Sequence, residues 1–186
     1  EFAHIFHGMG CKVSLIYRGE LFLKNFDDDL SQMLEEEMGK QGISLYFNCG
    51  VMGVEKSDDG KFKVITTDGS DIDKADQVLM ATGRVANVEG LGLDQTNVDM
   101  EDGLIKIDRN YQTTQDNIYA VGDVANHFNL TPVAIQEGHA LADNLFGNKE
   151  QRTVNYNYIP TAVFSRPEIG TIGLSEKQAR AEGYDI

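Results

Sequence analysis

Hydrophobic positions in the first part of the chain change their spacing twice. Residues 1–7 follow a helical pattern that ends at Gly8 and Gly10, since glycine tolerates the left-handed geometry of a helix terminus. The segment 12–17, KVSLIY, alternates polar and apolar positions and is rich in β-forming residues, which predicts a strand. Residues 26–41 place acidic residues in a first turn and apolar residues on one stripe, which predicts an amphipathic helix that ends near Gly42.

The pattern between residues 43 and 81 is typical of β structure. Short alternating runs are interrupted by Asp58-Asp59-Gly60 and by Asp68-Gly69, sequences typical of tight hairpin turns. They predict a strand, then a small antiparallel meander, then a buried strand over 77–81. Helix and parallel strands interrupted by a meander indicate an α/β domain with an antiparallel excursion.

The second half of the chain predicts a crossing between domains and then further strands and helices. Small and polar residues with interspersed glycines over 85–103 indicate a crossing between domains. A helix is predicted from Thr131-Pro132 to about residue 146, because threonine is a good cap and proline fits the first helical turn. The sequence Ser175-Glu176-Lys177-Gln178 is a capping-box pattern that opens a last helix. Strands are predicted at 104–107, 117–121, 158–164 and 168–174.

Composition narrows the classes of protein and of partner. The 186 residues, 41% of them hydrophobic, are enough for one medium domain or for pieces of two. Lys and Arg total 16 against 30 Asp and Glu, so a net charge of −14 leaves no basic surface for nucleic acid. The longest apolar runs are far shorter than the roughly 20 residues of a membrane helix. We therefore expect a soluble protein with no nucleic-acid or membrane partner.

The chain has two cysteines, Cys11 and Cys49. Their spacing is unlike a metal knuckle or a closely spaced redox pair, which favours reduced, buried thiols in a cytoplasmic protein. A helical pattern is already under way at residue 1, so we also expect both ends to be cuts in a longer chain.

The end of the strand over 12–17 carries the first candidate chemistry. In a dinucleotide-binding βαβ unit, an acid at the end of the second strand holds the ribose 2′-hydroxyl, whereas a 2′-phosphate requires cations. Here Tyr17 is followed by Arg18, with Lys24 six residues further on, an arrangement that suits NADP. A solvated surface loop would carry the same two cations, so the loop alone leaves both interpretations open.

Three further segments could meet a cofactor. The glycine of ATGR (81–84) would permit close approach of a ligand, or form a structural turn. The segment NIYAVGDV (117–124) would deliver Asp123 at the carboxyl end of a strand, as an acceptor for ribityl hydroxyls or as a turn or capping residue. The helix start at Thr131 offers free amides that suit an anion or an electron-rich ring edge.

Taken in this order, the segments resemble the pyridine-nucleotide disulfide oxidoreductases, and the match runs the whole length of the chain. IYRGELFLKNFD (16–27) is similar to the NADPH phosphate loop of the family's glutathione reductases, ATGR to the exit from the NADPH domain, and NIYAVGDV to the second FAD motif. IPTAVFSRPEIGTIGLSE (159–176) completes the match. Thr131-Pro132 favours the glutathione and trypanothione reductase branch, since dihydrolipoamide dehydrogenases typically carry Ala-His there.

The resemblance implies an α/β fold with partial, Rossmann-like NAD(P)- and FAD-binding domains, an antiparallel meander and the start of an α+β dimerisation domain. The implied boundaries are 1–85 for the NADPH domain, 86–156 for the second FAD-binding, central segment and 157–186 for the interface domain. The implied enzyme is a cytoplasmic homodimer that passes electrons from NADPH through FAD and a redox disulfide to glutathione disulfide. A chain of these 186 residues alone is expected to be inactive.

The resemblance also implies cofactor contacts. Glu1 is expected near the nicotinamide, and Arg18 and Lys24 are expected to bind the 2′-phosphate. Gly83 and Arg84 are expected to contact NADPH elsewhere. On the flavin side, the implied contacts are Gly122, Asp123 as the ribityl ligand, and the backbone amide of Thr131 at the pyrimidine edge.

Three positions depart from the family pattern. Lys24 stands where arginine is more frequent, which keeps the charge but loses the bidentate fork. His139 stands where some members place a glutathione-contacting arginine, and Arg166 replaces a common histidine, a change without a functional account.

The redox disulfide and its His–Glu pair are expected outside this segment. Cys11 and Cys49 do not have the family's CxxxxC spacing, and His127 and His139 lack its HPT context. Two alternatives stay open: a sister reductase of the trypanothione, glutathione-amide or mercuric type, and a non-catalytic dinucleotide-binding module. A CxxxxC pair before Glu1 would favour the enzyme.

Overall fold

The computed structural model describes residues 1–147 and 151–186, so that residues 148–150 of the predicted central segment lie outside the description. The helices of the described ranges are α1 (Phe2–Gly8), α2 (Asp28–Gln41), α3 (Thr131–Phe146) and α4 (Glu176–Ala181). Their strands are β1 (Ser14–Ile16), β2 (Ser44–Tyr46), β3 (Val51–Lys56), β4 (Phe62–Thr66), β5 (Ile72–Ala75), β6 (Met100–Glu101), β7 (Leu104–Ile105), β8 (Thr161–Val163) and β9 (Ile169–Thr171). No helix in these ranges is long and apolar enough to cross a membrane.

The chain folds into two compact units. The first unit comprises Glu1–Met80 and Pro160–Ile186, and the second comprises Ala81–Ile159. These units describe contacts within the chain and do not test the predicted boundaries of the NADPH, FAD and interface domains, which stay a prediction.

The first unit is built on a β1–α2–β2 arrangement with parallel strands, in the register Ser14↔Ser44 and Ile16↔Tyr46. Helix α2 ends where Gly42 adopts a left-handed conformation, with φ of 92°. The predicted amphipathic helix is therefore confirmed, and the predicted strand 12–17 shortens to the three residues of β1.

Helix α2 buries its apolar stripe in the core of the first unit. That core consists of Leu34, Met38, Ile43, Val163 and Ile169, of which the last two belong to the β8–β9 hairpin. Two hydrogen bonds also join α2 to residues 160–186: Gln41 Nε2 donates to the Arg166 carbonyl at 2.9 Å, and the Glu176 amide donates to Asp27 Oδ1 at 2.6 Å.

The antiparallel meander is confirmed as β3–β4–β5. Its turns contain Gly60 and Gly69, whose positive φ angles of 81° and 79° explain the choice of glycine. The Asp68 carboxylate accepts hydrogen bonds from Ser70, Thr66 and the Cys49 thiol. These bonds, those from Ser70 foremost, lower the pKa of Asp68.

Two predicted strands are wrong. Residues 77–81 are irregular, with Leu79 and Met80 each 57% exposed, and residues 117–121 contribute only an isolated bridge from Tyr119 to Gln112. An apolar run becomes a strand only when a neighbouring strand accepts its hydrogen bonds. No strand of the described ranges pairs with residues 77–81.

The remaining strand predictions are confirmed in shorter form. Residues 104–107 narrow to β7, 158–164 to β8 and 168–174 to β9. A 3₁₀ turn over Tyr156–Tyr158 replaces the start of the strand predicted at 158.

The second unit contains a small core of Val98, Ile105 and Ala120, and its helix α3 packs against the 3₁₀ turn Gly122–Val124. The predicted helix from Thr131 is confirmed, but its predicted threonine cap is wrong. Leu130 is the N-cap, because its carbonyl accepts the first helical hydrogen bonds from the amides of Val133 and Ala134. The predicted capping box at Ser175 is confirmed, with both of its reciprocal hydrogen bonds to Gln178 formed.

Truncation of Leu34 tests the α2 core. Leu34 is 5% exposed, whereas its neighbour Met33 is 59% exposed on the same helix. We expect Leu34→Ala to lower the free energy of unfolding by about 2–5 kcal/mol, since it leaves a cavity among packed side chains. Met33→Ala should change it by less than about 0.5 kcal/mol. Urea denaturation measures both variants, and equal losses would contradict this core.

Candidate functional site

The loop after β1 is tied to the chain after β2. The Tyr17 amide donates to the Tyr46 carbonyl at 2.8 Å, and the Cys49 amide donates to the Tyr17 carbonyl at 3.2 Å. The Asn48 amide donates to the Gly19 carbonyl at 2.9 Å. These bonds continue the parallel pairing beyond both strands and hold the backbone on either side of residue 18.

Aromatic rings support the same loop from within the first unit. Phe47 contacts Phe22 at 5.4 Å between ring centroids and meets Tyr17 edge-on at 6.4 Å. Phe22 and Leu23 pack against the α2 core. Apolar side chains of the loop are therefore directed inward.

The two predicted phosphate-binding cations, Arg18 and Lys24, are exposed on this loop. Among the described residues neither forms an ion pair, and Glu20 between them pairs with neither. Lys24 follows Leu23, whose φ of 59° turns the chain before α2. The loop thus presents two cations, unpaired within the described structure, on an anchored backbone.

The predicted nicotinamide contact, Glu1, precedes helix α1 and is exposed. Its Oε1 accepts a hydrogen bond from the Phe164 amide at 2.8 Å, within the first unit.

Gly83 and Arg84 lie in the irregular, exposed stretch that begins the second unit. Gly83 has φ of 137°, and a Cβ built on it would meet no atom within 4 Å. The strand predicted to lead into this glycine is not formed, so its backbone is open to approach on that side within the described structure.

The predicted flavin residues Gly122 and Asp123 form a 3₁₀ turn, Gly122–Val124, in place of the predicted strand end. The Gly122 carbonyl accepts from the amides of Ala125 and Asn126 at 2.9 and 3.1 Å, which closes the turn. The turn packs against α3, where a Cβ on Gly122 would lie 3.1 Å from the Cβ of Ala134. Both this close contact and the positive φ of 74° at position 122 require glycine.

Asp123 and Thr131 offer complementary hydrogen-bonding groups. The Asp123 carboxylate is exposed and accepts no hydrogen bond from the described residues. At the start of α3, Pro132 has no N–H, and the amides of Val133 and Ala134 donate to Leu130. The amide of Thr131 is therefore the free donor at the positive end of the helix in the described structure.

A buried carboxylate that sequence reasoning missed joins these two features. Glu137 on α3 is fully buried, and its Oε2 accepts from the Gly122 amide at 2.6 Å. Its Oε1 accepts from Asn126 Nδ2 at 2.8 Å and from the Tyr156 hydroxyl at 2.5 Å. Burial, and then the bond to Glu137, raise the pKa of the Tyr156 hydroxyl.

One sequence signal could have found Glu137. It stands between Val133 and Ala140 on the face that α3 buries, at spacings of four and three residues. A carboxylate on an apolar helix stripe requires buried donors, so the position invites a search for partners.

The other candidate groups are not assembled into a site. His127 and His139 are exposed. Both cysteines are free thiols, but the predicted burial holds only for Cys49 and is wrong for Cys11, which is exposed. No group of three or more potential metal ligands occurs among the residues that the structure describes.

The sequence model of the family described as pyridine nucleotide-disulphide oxidoreductase matches residues 1–138. A glutathione reductase of Burkholderia cepacia is 47% identical over 181 residues, which cover 97% of this chain and 40% of that protein. A trypanothione reductase of Leishmania donovani is 40% identical over 190 residues, with 100% and 38% covered. The chain thus spans about two fifths of the length of these relatives.

Solved structures agree with the fold. The HOCl-induced flavoprotein disulfide reductase RclA from Escherichia coli matches with a TM-score of 0.90 at 26% identity, over 99% of this chain and 42% of that chain. LpdA from Mycobacterium tuberculosis matches with a TM-score of 0.86 at 27% identity, over 98% and 39%. The predicted α/β, partly Rossmann-like fold with its antiparallel meander is confirmed.

Two glycines of the second unit test the contact between the turn and α3. Gly122→Ala should destabilise by about 1–3 kcal/mol, because the new Cβ meets Ala134 and the left-handed conformation is strained. Gly138→Ala is the matched control in the interior of α3, where a Cβ would meet nothing within 4 Å. It should stabilise by about 0.5–1 kcal/mol. Thermal denaturation compares the two, and an unchanged Gly122→Ala protein would contradict the contact.

Proposed function

The chain belongs to the pyridine nucleotide-disulphide oxidoreductase family, and we propose that the complete protein is an FAD-dependent reductase that passes electrons from NADPH to glutathione disulfide. A redox disulfide of the protein stands between flavin and substrate in this proposal. One observation carries the proposal: Asp123 is an acceptor and the Thr131 amide a donor, neither has a partner among the described residues, and one buried carboxylate holds their two elements together.

These residues fit FAD by their chemistry. The Asp123 carboxylate is an acceptor for ribityl hydroxyls, and Gly122 lets the backbone turn closely against α3. The Thr131 amide, at the positive end of α3, is a donor for the pyrimidine edge and favours negative charge there. When bound, FAD supplies the chemistry that accepts a hydride and returns an electron pair to a disulfide.

The loop after β1 fits the adenosine 2′-phosphate of NADPH. The Arg18 guanidinium can donate two parallel hydrogen bonds to phosphate oxygens, while the Lys24 ammonium acts as a point charge. Lysine at position 24 keeps the charge without the bidentate geometry, and so loosens discrimination against NAD. Glu1, Gly83 and Arg84 complete the proposed contacts with NADPH.

Glutathione disulfide is the proposed substrate because the relatives include glutathione reductases of Burkholderia cepacia and of Pisum sativum, at 47% and 38% identity. The exposed His139 stands where some family members have an arginine that contacts glutathione. In this proposal, other groups supply the positive charge of that arginine. The rate of NADPH oxidation, measured once with glutathione disulfide and once with trypanothione disulfide, decides between these two substrates.

The predicted domain boundaries, the dimer and the cellular location belong to the same proposal. Residues 1–85 supply NADPH contacts, 86–156 flavin contacts and 157–186 a homodimer interface. Exposed apolar side chains in the last segment support the interface; they include Phe164, Ile172 and Leu174. Two free thiols support a cytoplasmic location.

Charge reversal at Arg18 tests the NADPH site. In the complete protein, Arg18→Glu should raise the KM for NADPH by about tenfold or more, because a charge-assisted bond to the 2′-phosphate becomes a repulsion. The KM for NADH, which lacks that phosphate, should change little. Lys12→Glu is the control, since Lys12 is an exposed cation before β1 and outside the loop. Steady-state NADPH oxidation measures each constant, and an unchanged KM for NADPH would remove Arg18 from the site.

Removal of the Asp123 carboxylate tests the flavin site. Asp123→Leu should weaken FAD binding by about 1–3 kcal/mol, because ribityl hydroxyls lose their acceptor. Asp116→Leu is the control, an exposed carboxylate of the same unit outside the turn. FAD content after purification and the Kd from apoprotein titration are the measurements. Full occupancy with wild-type affinity in Asp123→Leu would show that this motif does not bind the flavin.

A further inference from the structure

Glu137 has an unusual position for a carboxylate in the second unit. Its side chain is 0% exposed on the apolar face of α3, where an aliphatic residue would pack without a desolvation cost. A buried charge persists only where hydrogen bonds replace its water. Glu137 therefore makes contacts that an aliphatic side chain could not make.

Those contacts are three donated hydrogen bonds. The Gly122 amide donates to Oε2, and the Asn126 amide group and the Tyr156 hydroxyl donate to Oε1. All three partners are donors, the pattern that an ionised carboxylate satisfies. The Gly122 amide is thereby fixed by α3, while its carbonyl closes the turn that carries Asp123.

Tyr156 holds the carboxylate from a third segment. It lies in the 3₁₀ turn after α3, and its ring stacks on Phe128 at 5.0 Å with an interplanar angle of 14°. Phe128 is itself linked to Asn126, whose Oδ1 accepts from the Phe128 amide at 2.9 Å. The partners of Glu137 therefore support one another.

The geometry points to Glu137 as a positioning residue for the flavin site. It lies on the helix that Thr131 begins and binds the backbone of the turn that carries Asp123. The Glu137 side chain thus connects the turn that carries Asp123 to the helix that begins at Thr131. The Asp123 carboxylate and the Thr131 amide are thereby held at a constant distance. Tyr156 restrains the carboxylate in that role. This inference rests on the proposed function, because it assigns both groups to FAD.

The test measures the Kd for FAD of the complete protein after removal and titration of the flavin. Glu137→Gln keeps the shape but replaces one acceptor oxygen by a donor NH2 group, which then faces either the Gly122 amide or the donors of Asn126 and Tyr156. The expected increase in Kd is about tenfold, and about threefold for Tyr156→Phe, which removes a single donor. Glu36→Gln, the same substitution at an exposed position of α2, should leave the Kd unchanged.

A double variant separates positioning from general stability. Once Asp123→Leu has removed the acceptor, misplacement of the turn lowers the affinity for FAD little further. Glu137→Gln in that background should therefore raise the Kd by less than about twofold. A merely structural role would multiply the two effects. A multiplied effect, or a Kd for Glu137→Gln within about twofold of wild type, would overturn the inference. If Glu137→Gln does not fold, Tyr156→Phe and its double variant with Asp123→Leu decide by the same criteria.

The outcomes also distinguish this inference from the function on which it rests. If Asp123→Leu loses FAD affinity while Glu137→Gln and Tyr156→Phe do not, the flavin site stands and the positioning role of Glu137 fails. If Asp123→Leu binds FAD as wild type does, the flavin assignment itself fails.

Discussion

The hydrogen bond from the Gly122 amide to the buried Glu137 carboxylate is the interaction on which the candidate flavin site depends. A carboxylate without exposure to water requires hydrogen bonds from protein donors, and Glu137 accepts three, from Gly122, Asn126 and Tyr156. Because a departure of any partner would leave a buried charge undersatisfied, the turn, the helix and the segment after the helix are held as one assembly. The placement of Asp123 follows from this electrostatic requirement.

The cation-bearing loop of the first unit is held by a different kind of force. There the backbone extends the parallel pairing of β1 and β2, and Phe22 and Phe47 pack below it. Hydrophobic burial and ladder hydrogen bonds position the backbone, while Arg18 and Lys24 keep the freedom of exposed side chains. Such a loop suits a phosphate, which is recognised by charge and tolerates side-chain adjustment, whereas the rigid turn suits ligand groups with directional hydrogen bonds.

Both arrangements are consistent with a protein that binds two cofactors through elements of the same α/β family fold. Neither cysteine of this chain is paired, and Cys49 donates its thiol hydrogen to Asp68 inside the meander. The proposed function assigns cofactor binding and orientation to the described residues. The relatives are about two and a half times as long as this chain.

The sequence by itself determined the elements whose cause is local. Helix α2 follows from its apolar stripe, the meander from its Asp-Gly turns, and α4 from the capping box at Ser175. Strands at 77–81 and 117–121 could not be decided in this way, because a strand requires hydrogen bonds from a neighbour that only the tertiary structure supplies. The role of Glu137 was equally hidden. Its partners lie 11, 15 and 19 residues away, and only the folded backbone brings their donors to a carboxylate that the helix removes from water.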